Sequence, residues 1–190
     1  MDTAEIWSVI DAERAGLADV LEGLTDEQWN TSSLCDGWRV GDVAAHLTHS
    51  HMNVARVVVE AARSGFRFDP MIRRLAVEDT RPQDEIVAAL RAMVGSRKKI
   101  PGTSARDPLT DMLVHGQDIC VPLGIDRPMP GQAAVDVAHH LWQMRFPMHP
   151  ARRLRGTRLV ATDADFAVGQ GREVRAPIRD LVMLLAGRPA

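Results

Sequence analysis

"LCDGWRVGDVAAHLTHSH", residues 34–51, opens on turn-forming residues and closes on three histidines within six positions. Asp36 and Gly37 read as a loop, and Val43, Ala44 and Leu47 then recur at helical spacing, so a helix is predicted to start near Arg39 or Val40. Val54, Val57 and Val58 keep the same period, which extends the predicted helix to about Arg63. An apolar face of this kind has to be buried against other helices. One helix rarely supplies a whole coordination shell, so His46, His49 and His51 are either polar residues of a solvated helix or part of a site completed elsewhere.

Towards the N-terminus, Ile6, Ile10, Leu17, Val20, Leu21 and Leu24 mark a helix over residues 4–23, whose other face carries Asp11, Glu13, Arg14, Asp19 and Glu22. In "GLTDEQW", Thr25 and Gln28 have the spacing of a capping box for a short second turn. Towards the C-terminus, Pro70 is placed to begin a short helix over 70–78. "PQDEIVAALRAMVGSRKK", residues 82–99, has acids in its first turn and bases at its end, in keeping with the helix dipole. Further helices are predicted over Ser104–Leu123, closed by Gly124, and over Gln132–Phe146. After "PMHPARR" the period changes: Leu159–Thr162 and Phe166–Val168 alternate as strands, Gly169 and Gly171 mark turns, and "IRDLVMLLAG" reads as a closing helix. The expected fold is mainly α, an antiparallel four-helix bundle over residues 1–150 with a small α/β segment over 151–190 packed on it.

Composition removes several classes of function. With 45% hydrophobic and 25% charged residues the chain has the balance of an ordinary globular protein. A net charge of −2 leaves no electrostatic footprint for nucleic acid. The cluster Arg152, Arg153, Arg155 and Arg158 has no interleaved aromatic residue for bases to stack on. No run of eighteen apolar residues occurs and the N-terminus is acidic and amphipathic, so neither a signal peptide nor a membrane span is expected and a cytoplasmic protein is. Cys35 and Cys120 read as small buried residues of a reduced protein rather than as a bridge or a cysteine metal site.

The chemistry lies in "DMLVH". Asp111 and His115 stand at i and i+4 and share one helix face. If the helix of His46 is its neighbour in the bundle, the three groups converge on two nitrogens and one oxygen, the open shell of a catalytic zinc. A plain ion pair between Asp111 and His115 is the alternative. His49 and His51 read as solvated or packing residues, with His49 as the substitute ligand if Asp111 does not serve. His139 and His140 read as structural. Asp42, in the first turn of its helix, reads as a capping acid rather than a partner of His46.

"CDGWRVGDVAAHL" and "DMLVHGQDICVPLG", followed by "RLVATDADFAVGQGREVRAPIRDLVMLLAGR", resemble the mycothiol-dependent maleylpyruvate isomerase family of actinobacteria over nearly the whole chain. The resemblance implies a DinB-like metal-binding bundle. It makes His46, Asp111 and His115 the ligands of a divalent ion, zinc, and mycothiol the cosubstrate. The chain departs from the family pattern at Asp111 in place of Glu, at Arg39 in place of a Ser or Thr cap, at Phe166 in place of Trp and at Ala176 in place of Gly. Asp118 is three residues past His115 and either orients its imidazole or forms a surface salt bridge. Arg188 matches a late Gly-Arg of the family and either pairs with a substrate carboxylate or complements the last helix.

The function implied is a metal-dependent transferase or isomerase that applies a small-molecule thiol to a small electrophilic substrate, as a monomer or homodimer. The alternative is a non-catalytic metal- or ligand-binding bundle, a sensor or interaction module, which gains weight because no general base stands beside the metal motif in sequence.

Overall fold

The structure, a computed structural model, describes residues 1–65, 67–100, 102–145 and 149–188. Helix α1 spans Thr3–Glu22, held at its start by Asp2 and Glu5 as a capping box, and buries Ile6, Ile10, Leu17 and Leu21. The short α2, Asp26–Trp29, begins with the Thr25 and Gln28 pair expected from the sequence. Then come α3 (Val40–His49), α4 (Val54–Arg63), α5 (Phe68–Val77), α6 (Gln83–Ala92) and α7 (Arg106–Cys120). Four of these form the bundle: α1 and α3 each pack against both α6 and α7.

A single 3-10 turn, Val121–Leu123, ends α7 at Gly124 (φ 66°), and α8 (Gly131–Gln143) lies on the far side of α7. The chain closes with α9 (Pro150–Arg153), β1 (Thr157–Ala161), β2 (Ala167–Gly169), β3 (Arg172–Ala176) and α10 (Ile178–Leu185). The sheet order is β2-β1-β3, antiparallel on the first side and parallel on the second, with Leu159 opposite both Val168 and Val174. Leu159 is fully buried, and α10 packs on β1 and α8, so one continuous apolar core runs from the bundle into the C-terminal unit. Among the described residues no helix is long and apolar enough to cross a membrane.

Gly169 and Gly171 permit the crossing beneath the start of β1. Both have positive φ (81° and 114°), and a Cβ on Gly169 would stand 2.2 Å from the Thr157 carbonyl oxygen. Gly169→Ala is expected to lower stability by at least ~2 kcal/mol, from backbone strain and the carbonyl clash together. A urea-unfolding midpoint equal to that of the parent would contradict this.

The elements differ from the sequence reading at four places. The long helix predicted over 40–63 is two. Thr48 and Ser50 hydroxyls bond back to the Ala45 and Leu47 carbonyls at the end of α3, and Asn53 accepts from the Ala55 N–H at 2.8 Å to cap α4. The valine period hides the break because α4 does not enter the core: Val58 and Val59 are 58% and 50% exposed. Helix α6 stops at Ala92 rather than Lys99, with Gly95 at φ 81°, and α5 starts two residues before Pro70. Strand β3 is the unexpected one. Three of its five residues are exposed Arg172, Glu173 and Arg175, so it carries little apolar alternation. The predicted end of the 132–146 helix lies outside the described residues.

Candidate metal centre

Helix α3 begins at Arg39, which makes no side-chain cap of its own. The buried carboxylate of Asp42 replaces it, accepting from the Arg39 N–H at 2.8 Å and from its guanidinium at 2.9 Å. The acid in the first turn therefore caps the helix rather than facing His46. Two turns of Val40, Val43, Ala44 and Leu47 fasten α3 in the core and leave His46 towards α7. Its ring centroid lies 5.0 Å from that of His115 at an interplanar angle of 83°, and 5.4 Å from that of Trp38. His46 Nδ1 is buried with no hydrogen-bond partner among the described residues. Burial, then the neighbouring His115 and His49, pushes the pKa of His46 well below the ordinary histidine value. Its imidazole is thus neutral at pH 7, the form that ligates a cation.

His115 is anchored differently. Its Nδ1 is 2.8 Å from Asp118 Oδ2, and Asp118 is fully buried one turn further along α7. Arg188 donates to the same carboxylate through Nε (2.8 Å) and Nη2 (2.6 Å), and Cys35 Sγ donates to it at 3.1 Å. The Leu34 N–H to Asp118 carbonyl bond (3.1 Å) ties the loop before α3 to α7, which is how Cys35 arrives here. Burial alone would lower the pKa of His115, but the hydrogen bonds with Asp118 and Cys35 and the charge of Asp118 outweigh it and raise it to about 10. Burial works against ionised Asp118 too, yet Arg188 and His115 hold it well below the usual carboxylate range. With Nδ1 committed to Asp118, Nε2 is the ring atom left for a cation, which would have to displace the proton that the raised pKa keeps there at neutral pH; a carboxylate behind the ring is the arrangement that orients a metal-bound histidine.

Asp111 lies one turn before His115 and is exposed, and among the described residues its carboxylate makes no hydrogen bond or ion pair. The protein around it raises its pKa, while His115 works in the opposite direction. So α3 and α7 bring the rings of His46 and His115 to 5.0 Å between centroids, and Asp111 stands one turn before His115 on α7. Among the described residues, however, the donor atoms that lie within 4.8 Å of one another are those of Cys35, His115 and Asp118. That triad is already a hydrogen-bonded network. A cation among its atoms would sit beside Arg188 Nη2, which is 2.6 Å from Asp118 and 3.2 Å from Cys35 Sγ, and would meet its repulsion.

Other residues take roles that spacing did not show. Arg188, expected to meet a substrate carboxylate or the helix dipole, is spent on Asp118. His49, read as solvated or packing, has a side chain only 12% exposed and pairs with Asp79 at 2.9 Å, itself held by Arg81. His49, His51, Arg56 and Arg81 line a recess of about 700 Å³, and of its lining the His49 ring lies 6.4 Å from that of His46. Cys35 is half-buried, Cys120 is buried, and both are free thiols. His139 packs edge-on against Phe166, with centroids 4.9 Å apart. The sequence signal for Cys35 was its place in "LCDGW" just ahead of the histidine helix. For the reach of Arg188 there was none.

A mainly α four-helix bundle, closed by a βα unit and presenting paired imidazoles from two helices, is the class that fold and site define. Residues 10–99 match the family model described as the mycothiol maleylpyruvate isomerase N-terminal domain, the family that the sequence resembles. No curated protein matches the chain. Two solved structures are similar to it, each covered to 90% by the whole of this chain. A mutant of the mycothiol-dependent maleylpyruvate isomerase with one histidine changed to alanine has a TM-score of 0.68 at 14% identity. The mycothiol-dependent maleylpyruvate isomerase itself has 0.58 at 13%. At these identities the likeness is one of fold.

Proposed function

We propose that this protein is a metal-dependent enzyme that uses a low-molecular-weight thiol, mycothiol, to isomerise a small electrophilic substrate or to transfer the thiol to it. The observation that carries the reading is the facing of His46 and His115 from two helices, with His46 Nδ1 buried and unpartnered. An orphaned, neutral imidazole in a bundle core fits a cation, because a buried polar atom left alone costs about 1–3 kcal/mol. The family of residues 10–99 supports mycothiol as the thiol.

His46, Asp111 and His115 would hold the ion, with Asp118 keeping His115 turned towards it. A bound zinc would lower the pKa of a thiol enough to keep it as thiolate, the nucleophilic form, at neutral pH. The chain's own residues do the rest. Trp38 packs edge-on against the His46 ring, with centroids 5.4 Å apart, and helps to keep it in place. The recess beside His49 has room for a small polar substrate. A second donor set, Cys35 with His115 and Asp118, is favoured by mutual spacing alone.

Purified protein, zinc-loaded or stripped with chelator, is to be incubated with mycothiol and a panel of maleyl and epoxide electrophiles while free thiol is followed. The expected result is consumption only in the zinc-loaded sample, retained by Cys35→Ser. Absence of consumption across the panel would favour the non-catalytic binding bundle. Loss of zinc in Cys35→Ser would favour the second donor set.

A further inference from the structure

The C-terminal unit meets the buried Asp118 of α7 through the side chain of Arg188. Arg188, just past α10, lies with Nε 2.8 Å from Asp118 Oδ1 and Nη2 2.6 Å from Oδ2. Its remaining nitrogen, Nη1, donates to the Ala186 carbonyl at 3.0 Å, so the guanidinium plane is fixed from its own end as well. The Oδ2 atom gripped by Arg188 is the one that meets His115 Nδ1. A carboxylate held only by an imidazole and a weak thiol donor is free to turn about its terminal torsion, which has a broad minimum. A planar two-pronged guanidinium holds both oxygens at once, which a point-charge ammonium does not.

We propose that Arg188 is a positioning residue for His115: by holding Asp118 at both oxygens it fixes which ring nitrogen of His115 is bound to the protein and which is offered to a ligand. The C-terminal βα unit thereby sets the affinity of a site that lies wholly on bundle helices. Only this consequence for affinity rests on the proposed metal reading, since the orientation of the ring does not depend on it. Arg188 is also removed from substrate recognition, because leaving Asp118 would strand a fully buried carboxylate.

The test uses the full chain with Arg188→Ala, Arg188→Lys and Arg188→Gln. Two quantities are measured: zinc affinity by chelator competition, and the nitrogen-correlated NMR signal of the His115 Nδ1 proton in metal-free protein. The parent is expected to show a protected Nδ1 proton. Arg188→Ala is expected to lose it and to bind zinc roughly 10- to 100-fold more weakly, the usual cost of losing a partner behind a metal ligand. Arg188→Lys should fall between the two. A lower melting temperature with both quantities unchanged would make Arg188 a mere anchor and overturn the proposal. Should Arg188→Ala fail to fold, Arg188→Gln, which keeps a donor without the charge, decides by the same readouts. A parent that binds no zinc would end the metal reading, whereas the Nδ1 signal still decides the positioning role.

Discussion

His115→Ala is expected to lose the divalent ion. Metal analysis of protein purified without chelator should give near one equivalent for the parent and almost none for the variant. The fall in zinc affinity should exceed about 100-fold, since even partners behind a ligand cost 10- to 100-fold. The fold should survive, because Asp118 keeps its buried ion pair with Arg188 at 2.6 Å. His46→Ala should behave alike, and for a cleaner reason: its ring makes no hydrogen bond among the described residues whose loss would disturb the core. Calorimetry gives a second reading. Zinc at a hundred times its dissociation constant adds about 2.7 kcal/mol to the parent's stability and should add nothing to either variant. Full retention of the ion by His115→Ala would remove the proposed site.

The largest effect on stability is expected at Arg14. This side chain is 1% exposed, and its Nη1 donates to the Met93 carbonyl at 2.7 Å and the Ser96 carbonyl at 2.9 Å. Those carbonyls follow α6 where Gly95 ends it, so a charge from α1 closes the C-terminal end of its neighbour. Burial lowers the pKa of Arg14, with Asp11 opposing. Arg14→Ala leaves a cavity and strips two carbonyls of their donor, a loss of about 3–5 kcal/mol. Arg14→Met keeps most of the volume and should cost less than half as much. Urea unfolding of the two variants separates packing from hydrogen bonding. A change below about 0.5 kcal/mol for Arg14→Ala would return the residue to the solvated face on which its spacing placed it.

Arg14 and Asp118 show where periodicity stops being informative. Both are charged, and on a helical wheel a charged residue is assigned to water. The core contradicts this at both positions because each charge has a partner from far along the chain, Ser96 for one and Arg188 for the other. His49 is the same case, paired with Asp79 across thirty residues. The break between α3 and α4 was missed for another reason: a hydrophobic period records that apolar residues recur, not that they reach a core.

What the residues determined unaided were most of the helices, the Thr25 and Gln28 cap and the change to strands late in the chain, because these depend on contacts within one turn or on alternation along one segment. The tertiary structure alone decided that the two imidazoles lie edge-to-face with centroids 5.0 Å apart, that Asp118 rather than Asp111 bonds to His115, and that Arg188 serves this carboxylate. Such pairings form between groups about seventy or more positions apart, or turn on which ring nitrogen faces inward. They are settled by the packing of α3 on α7 and by the reach of Arg188 from beyond α10 to α7; the spacing of Asp118 from His115 offers the contact but does not decide it.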